Sequence, residues 1–117
     1  MKYFALAVML VATTSVCAQV TPQAALTWVA PTTGCGGGTN QVCTYNVLRG
    51  TTSGGETAYA SGITTLSYTD TNVTAGSTYY YVITATNGVG TGPVSNEAKA
   101  VIPVAPAAPS GLTVTTQ

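Results

Sequence analysis

Few side chains in this sequence can do chemistry. There are three bases, three carboxylates and three cysteines among 117 residues, and histidine is absent. General acid–base catalysis needs titratable groups held as a pair. Asp70 stands in the segment TDTN, where a short carboxylate caps backbone N–H groups of a turn. Glu56 and Glu97 are far apart in sequence and belong to no recognisable motif. Cys35 and Cys43 with no histidine make too few ligands for structural zinc. The glycines of residues 34–38 are not a phosphate loop, because no lysine follows and no helix is expected there. No catalytic, cofactor-binding or metal-binding residue is therefore expected, and the chain reads as a non-enzyme.

The cysteines instead point to a compartment. Residues 1–18 read as an export signal, with Lys2 as a short positive start and an apolar run too short to span a bilayer. The small-residue site Val16-Cys17-Ala18 ends it, so that Gln19 begins the exported chain, which then carries no membrane span. Lipidation of Cys17 is the competing reading, and Val16 speaks against it. Cleavage at Ala18 leaves Cys35 and Cys43 as an even pair in an oxidising compartment, which reads as a disulfide. Closing so short a loop stabilises by roughly 2–3 kcal/mol in the chain-entropy model. Secretion or display at the cell surface is expected. Charged residues are only 5 %, against about 25 % in an ordinary domain. A net charge of zero offers no basic footprint for nucleic acid and little to oppose self-association.

The elements that hold these residues are all strands. Ala24, Leu26, Trp28 and Ala30 alternate with Ala25, Thr27 and Val29 until Pro31 ends the run. Residues 32–43 form a glycine-rich loop pinned by the cysteines. In the next strand, Tyr45 and Val47 face the side that Trp28 faces. Turn signals at Gly54-Gly55 and Ser61-Gly62 bracket a short edge strand. Then come a strand over 64–69, a turn, a strand over 77–86, a loop over 87–93 and a strand over 95–101. In the 77–86 strand, Tyr79, Tyr81, Ile83 and Ala85 share one face and Tyr80, Val82, Thr84 and Thr86 the other. Short strands punctuated by Gly, Pro and Asn predict an all-β, immunoglobulin-like antiparallel sandwich of about seven strands. Its core is expected from Trp28, Tyr45, Val47, Val73, Tyr79, Tyr81 and Ile83.

The order L-x-W-x-x-P (Leu26, Trp28, Pro31), Y-x-V-x-R (Tyr45, Val47, Arg49) and V-x-x-G-x-x-Y-x-Y-x-I-x-A-x-N (Val73 to Asn87) resembles a fibronectin type III domain. The resemblance covers about residues 23–102, within a domain of 19–102. It implies that Tyr79 forms a tyrosine corner, its hydroxyl bonded to upstream backbone. One departure matters. The first strand of that family, P-x-x-P-x-x-L-x-V, is missing ahead of Trp28. A match stands at the other end instead, as Pro106, Pro109, Leu112 and Val114. The proline-rich residues 103–109 form a stiff linker that projects residues 110–117 away.

Two functions are expected from that displacement. In the first, the chain is a subunit of an extracellular filament or surface polymer. The C-terminal strand of one subunit enters the next, with Leu112 and Val114 in its core. Donor and acceptor sites differ, so the contact propagates. In the alternative, the chain is the first fibronectin type III spacer module of a longer secreted hydrolase or adhesin. A third reading, cell adhesion or binding of a protein or glycan, makes Tyr59 and Tyr80 exposed anchors and places loops 34–42 and 87–92 at one end. Asn72-Val73-Thr74 matches the glycosylation pattern, but Val73 is assigned to the core.

Overall fold

Nine consecutive residues rich in aromatic and β-branched side chains form the longest strand of the molecule, β5 (Thr78–Thr86). Such residues fill a pleated surface that is covered on both faces. In this computed structural model, residues 19–117 are described. The expected export signal and Cys17 lie outside them. Five more strands surround β5: β1 (Ala24–Thr27), β2 (Thr44–Gly50), β3 (Thr57–Ile63), β4 (Ser67–Asp70) and β6 (Ala98–Val101). All pairings are antiparallel. One sheet has the order β3-β2-β5-β6, and the other consists of β1 and β4.

The two sheets close on a core of Ala24, Val47, Tyr79, Tyr81 and Ile102, with Leu26, Tyr68, Val73 and Ile83 packed around it. Val47 is fully buried, and burying such a side chain contributes about 1.5–3 kcal/mol. On the opposite face of β5, Val82 and Thr84 are also buried. There Asn46 Nδ2 donates to the Thr84 and Thr86 hydroxyls, both at 3.0 Å. The neighbouring strand thus satisfies the polar half of β5.

Three local expectations need correcting. Ser61-Gly62 does not end a strand, because β3 runs through it to Ile63. The register against β2 shifts between Tyr45 and Leu48. Gly62, at φ +70°, takes a left-handed conformation that only glycine enters cheaply. The following strand accordingly starts at Ser67 rather than Thr64. The last strand is confined to Ala98–Val101, since Ser95 bonds Ile83 out of ladder geometry through its own amide and hydroxyl.

Six strands are described, as expected of a seven-strand plan without its first strand. Ile102 is buried, but residues 103–117 carry no strand and are exposed throughout. Leu112 is 93 % exposed and Val114 81 %.

Candidate functional site

The two-stranded sheet leaves the edge of β1 that faces away from β4 without a partner among the described residues. A groove of about 610 Å³ runs along that edge. Ala24 to Val29 form one wall, Ala98 to Ala100 the other, and Tyr81 and Ile83 reach it from the inner face of β5. An unpaired strand edge beside apolar side chains is a template for another strand. The residues of β1 and the two that follow it alternate there, with Ala24, Leu26 and Trp28 turned inward and Ala25, Thr27 and Val29 outward.

A smaller cleft, about 300 Å³, opens beyond the end of β1. Trp28, Tyr45, Pro31 and Pro93 line it, together with the Cys35–Cys43 disulfide. Loops 34–42 and 87–92 meet beside it. Asn87 Nδ2 donates to the Gly34 carbonyl at 3.1 Å, and the Gly88 amide to the Asn40 carbonyl at 3.2 Å. Trp28 is half-buried, not sealed in the core, with its ring 5.5 Å from that of Tyr45. Its Nε1 is buried and has no hydrogen-bond partner.

At the other end of the sandwich, one carboxylate collects most of the polar chemistry. Asp70 is 1 % exposed. Arg49 Nη1 donates to its Oδ2 at 2.8 Å, as does the Tyr81 hydroxyl. Its Oδ1 accepts from the Tyr59 hydroxyl at 2.9 Å and from the Asn72 amide at 3.0 Å. Burial pushes the Asp70 carboxyl up. Arg49, the two phenols and the Asn72 amide outweigh that and hold it below the usual carboxylate range. Burial and then Asp70 push the Tyr59 and Tyr81 hydroxyls up. The guanidinium lies 3.9 Å from the Tyr59 ring centroid and 4.9 Å from that of Tyr79. The turn cap expected of Asp70 exists in the Asn72 amide, but it is one bond of four. Tyr59 is not a free anchor, because its ring and hydroxyl are both engaged. Tyr80 is half-buried between Gly50 and Lys99.

Tyr79 is buried, and its hydroxyl accepts the Thr74 amide at 3.0 Å. Val73 and Ile83 are half-buried and pack on the core, and Tyr45 and Tyr81 are buried. Glu56 and Glu97, far apart in sequence, are neighbours in space. Contact with Glu56, the Ser53 hydroxyl and the Gly54 amide hold the Glu97 carboxyl low. Glu97 thereby staples the turn before β3. Among the described residues, no group of three or more His, Cys, Asp or Glu is placed to hold a metal ion. No helix among the described residues is long and apolar enough to cross a membrane.

The Asp70 cluster had a signal in the sequence. Arg49 shares the inward parity of Tyr45 and Val47, and a cation facing a core requires an anion. Nothing in the sequence showed which anion. The open groove follows the expected absence of a first strand ahead of Trp28, whereas the cleft arises from the pairing of strands and has no local signature.

No family model matches the sequence, and no curated protein matches it. Solved structures do. An Fn3-like protein from Clostridium thermocellum is 41 % identical over 68 % of this chain and 75 % of that one, with a TM-score of 0.56. The sixth fibronectin type III domain of human fibronectin type III domain containing protein 3 is 28 % identical over 78 % of this chain and 81 % of that one, with a TM-score of 0.59.

Proposed function

The chain belongs to the fibronectin type III family, and on that premise we propose that it is a secreted structural subunit that polymerises by strand donation. Domains of this family are in general non-catalytic structural modules, and the fold here is theirs. In the proposal, residues 110–117 of one subunit pair with the free edge of β1 in the next. Leu112 and Val114 enter the groove beside Tyr81 and Ile83. The proline-rich residues 103–109 link the two domains, and the disulfide suits an oxidising exterior.

One observation carries this reading. An unpaired, apolar strand edge and an exposed strand-like segment with apolar residues at alternate positions occur in the same chain. The exposed pair would exchange water for core, a gain of about 1.5–3 kcal/mol for each side chain. Donor and acceptor are different surfaces, so each added subunit presents a new acceptor.

Electron microscopy and light scattering of the exported chain test it. Filaments are expected from the native sequence, and monomers from Leu112→Asp, with both chains folded by circular dichroism. A native chain that stays monomeric at high concentration overturns the proposal. The same tail also suits the alternative function, a spacer module in a longer secreted protein, because it matches the first strand of a following domain. A reading frame that continues past Gln117 into another such domain would favour that assignment.

A further inference from the structure

Asn87-Gly88 is the only asparagine–glycine pair in the chain. Asparagine is a chemically labile residue. It is most labile before glycine, where no side chain hinders attack on its amide and the backbone turns freely. Packing nevertheless requires glycine at 88. A Cβ there would lie 2.6 Å from Asn40 Oδ1 and 2.9 Å from Asn40 Cβ. The fold thus builds a reactive dipeptide into the contact between loops 34–42 and 87–92.

In the folded chain each group of that reaction is occupied. Asn87 Nδ2, the leaving group, donates to the Gly34 carbonyl at 3.1 Å. Asn87 Oδ1 accepts the Val89 and Gly90 amides at 2.8 and 3.2 Å. The Gly88 amide, the attacking group, donates to the Asn40 carbonyl at 3.2 Å. Gly34 immediately precedes Cys35, and Asn40 lies inside the loop that the Cys35–Cys43 bridge closes. The disulfide therefore holds both acceptors against Asn87 and Gly88.

We propose that Asn87 is a deamidation site gated by the Cys35–Cys43 disulfide. While the loops are closed, the Gly88 nitrogen cannot turn onto Asn87 Cγ without giving up these hydrogen bonds. A dithiol reduces the bridge to two thiols and is itself oxidised to a disulfide. Loop 34–42 is then released, and the barrier falls. The Gly88 nitrogen attacks Cγ, the Cγ–Nδ2 bond breaks, and ammonia leaves with the Gly88 amide proton. Water opens the resulting cyclic imide at either carbonyl and leaves aspartate or isoaspartate. Neither product restores the latch. A carboxylate has no proton to offer the Gly34 carbonyl. Isoaspartate lengthens the main chain inside the turn that the Asn87 amide and the Gly90 carbonyl close. The new charge also falls where residues 28–48 and 83–96 carry none. Reoxidation does not reclose the loops, so the change is a one-way record of reduction. Gly34, Cys35, Cys43 and Asn87 all line the smaller cleft, and its wall is lost with the latch.

The test incubates the exported chain in mildly alkaline buffer, oxidised or with a dithiol, beside a synthetic peptide of residues 84–92. Peptide mass spectrometry follows the exchange of ammonia for water at Asn87. Asn40, Asn46, Asn72 and Asn96 precede larger residues and serve as slow internal references. Oxidised Asn87 should react about tenfold slower than the free peptide. Reduction should restore most of the peptide's rate while amide exchange shows β2 and β5 still protected. Oxidised Asn87 reacting as fast as the peptide, or equally fast with and without the bridge, would overturn the gate. A reduced chain whose sheet unfolds would overturn it too, since the loops must open alone. Asn87→Asp with the bridge intact should raise amide exchange in residues 34–42 and 87–92 together. Loops as protected as in the native chain would remove the one-way step.

Discussion

Asp70 shows what one side chain does in a molecule this poor in charge. Its oxygens receive the guanidinium of Arg49, two phenols and an amide, so that β2, β3, β4 and β5 are joined at one point. Changing it to asparagine leaves the Arg49 cation facing the core with no anion. We expect Asp70→Asn to lose about 3 kcal/mol in urea denaturation. The Tyr79 hydroxyl is a milder case. It accepts one amide, that of Thr74, and Tyr79→Phe should lose about 1 kcal/mol by the same measurement. These residues were not equally legible. Tyr79 sits in a motif with fixed spacing, six residues after Val73. Asp70 was read as a turn cap because its partners lie 11 and 21 residues away, beyond any local pattern.

Among the elements, the two loops at the cleft behave as one unit. The disulfide closes the first, and the Asn87 and Gly34 bond ties it to the second. Replacing both Cys35 and Cys43 by serine should cost about 2–3 kcal/mol. Amide exchange should then rise in residues 34–42 and 87–92 together, with β2 and β5 still protected. Exchange rising in the first loop alone would mean that the two are not coupled. The turn before β5 makes a different demand. Gly76 has φ +81°, and a Cβ there would lie 2.8 Å from Val104 Cγ1. Gly76→Ala should therefore destabilise by about 1 kcal/mol or more. The strands were legible from alternation and punctuation. The run of β3 through Ser61-Gly62 was not, because a turn glycine and a bulge glycine have the same sequence signature.

For the whole molecule, the lack of histidine predicts how stability depends on pH. Asp70 is held low in the folded state, so its contribution is present above the ordinary carboxylate range and lost as pH falls below about 4. Tyr59 and Tyr81 are held high. Their contribution is present below the ordinary phenol value and lost as pH rises above about 10. Urea midpoints should thus be flat between those limits. A step near pH 6–7 would contradict this assignment. The sequence by itself determined the β-class of the chain, the faces of its strands, the cysteine pair and the displaced strand-like segment at its end. Each of these is encoded within a few neighbouring residues, by alternation, turn chemistry or composition. Only the tertiary structure decided which residues line the groove at the open edge of β1, that Trp28 keeps an unpaired N–H beside it, and that Arg49 meets Asp70. Those facts depend on which strands lie side by side, and that pairing is settled by the packing of residues distant in the chain.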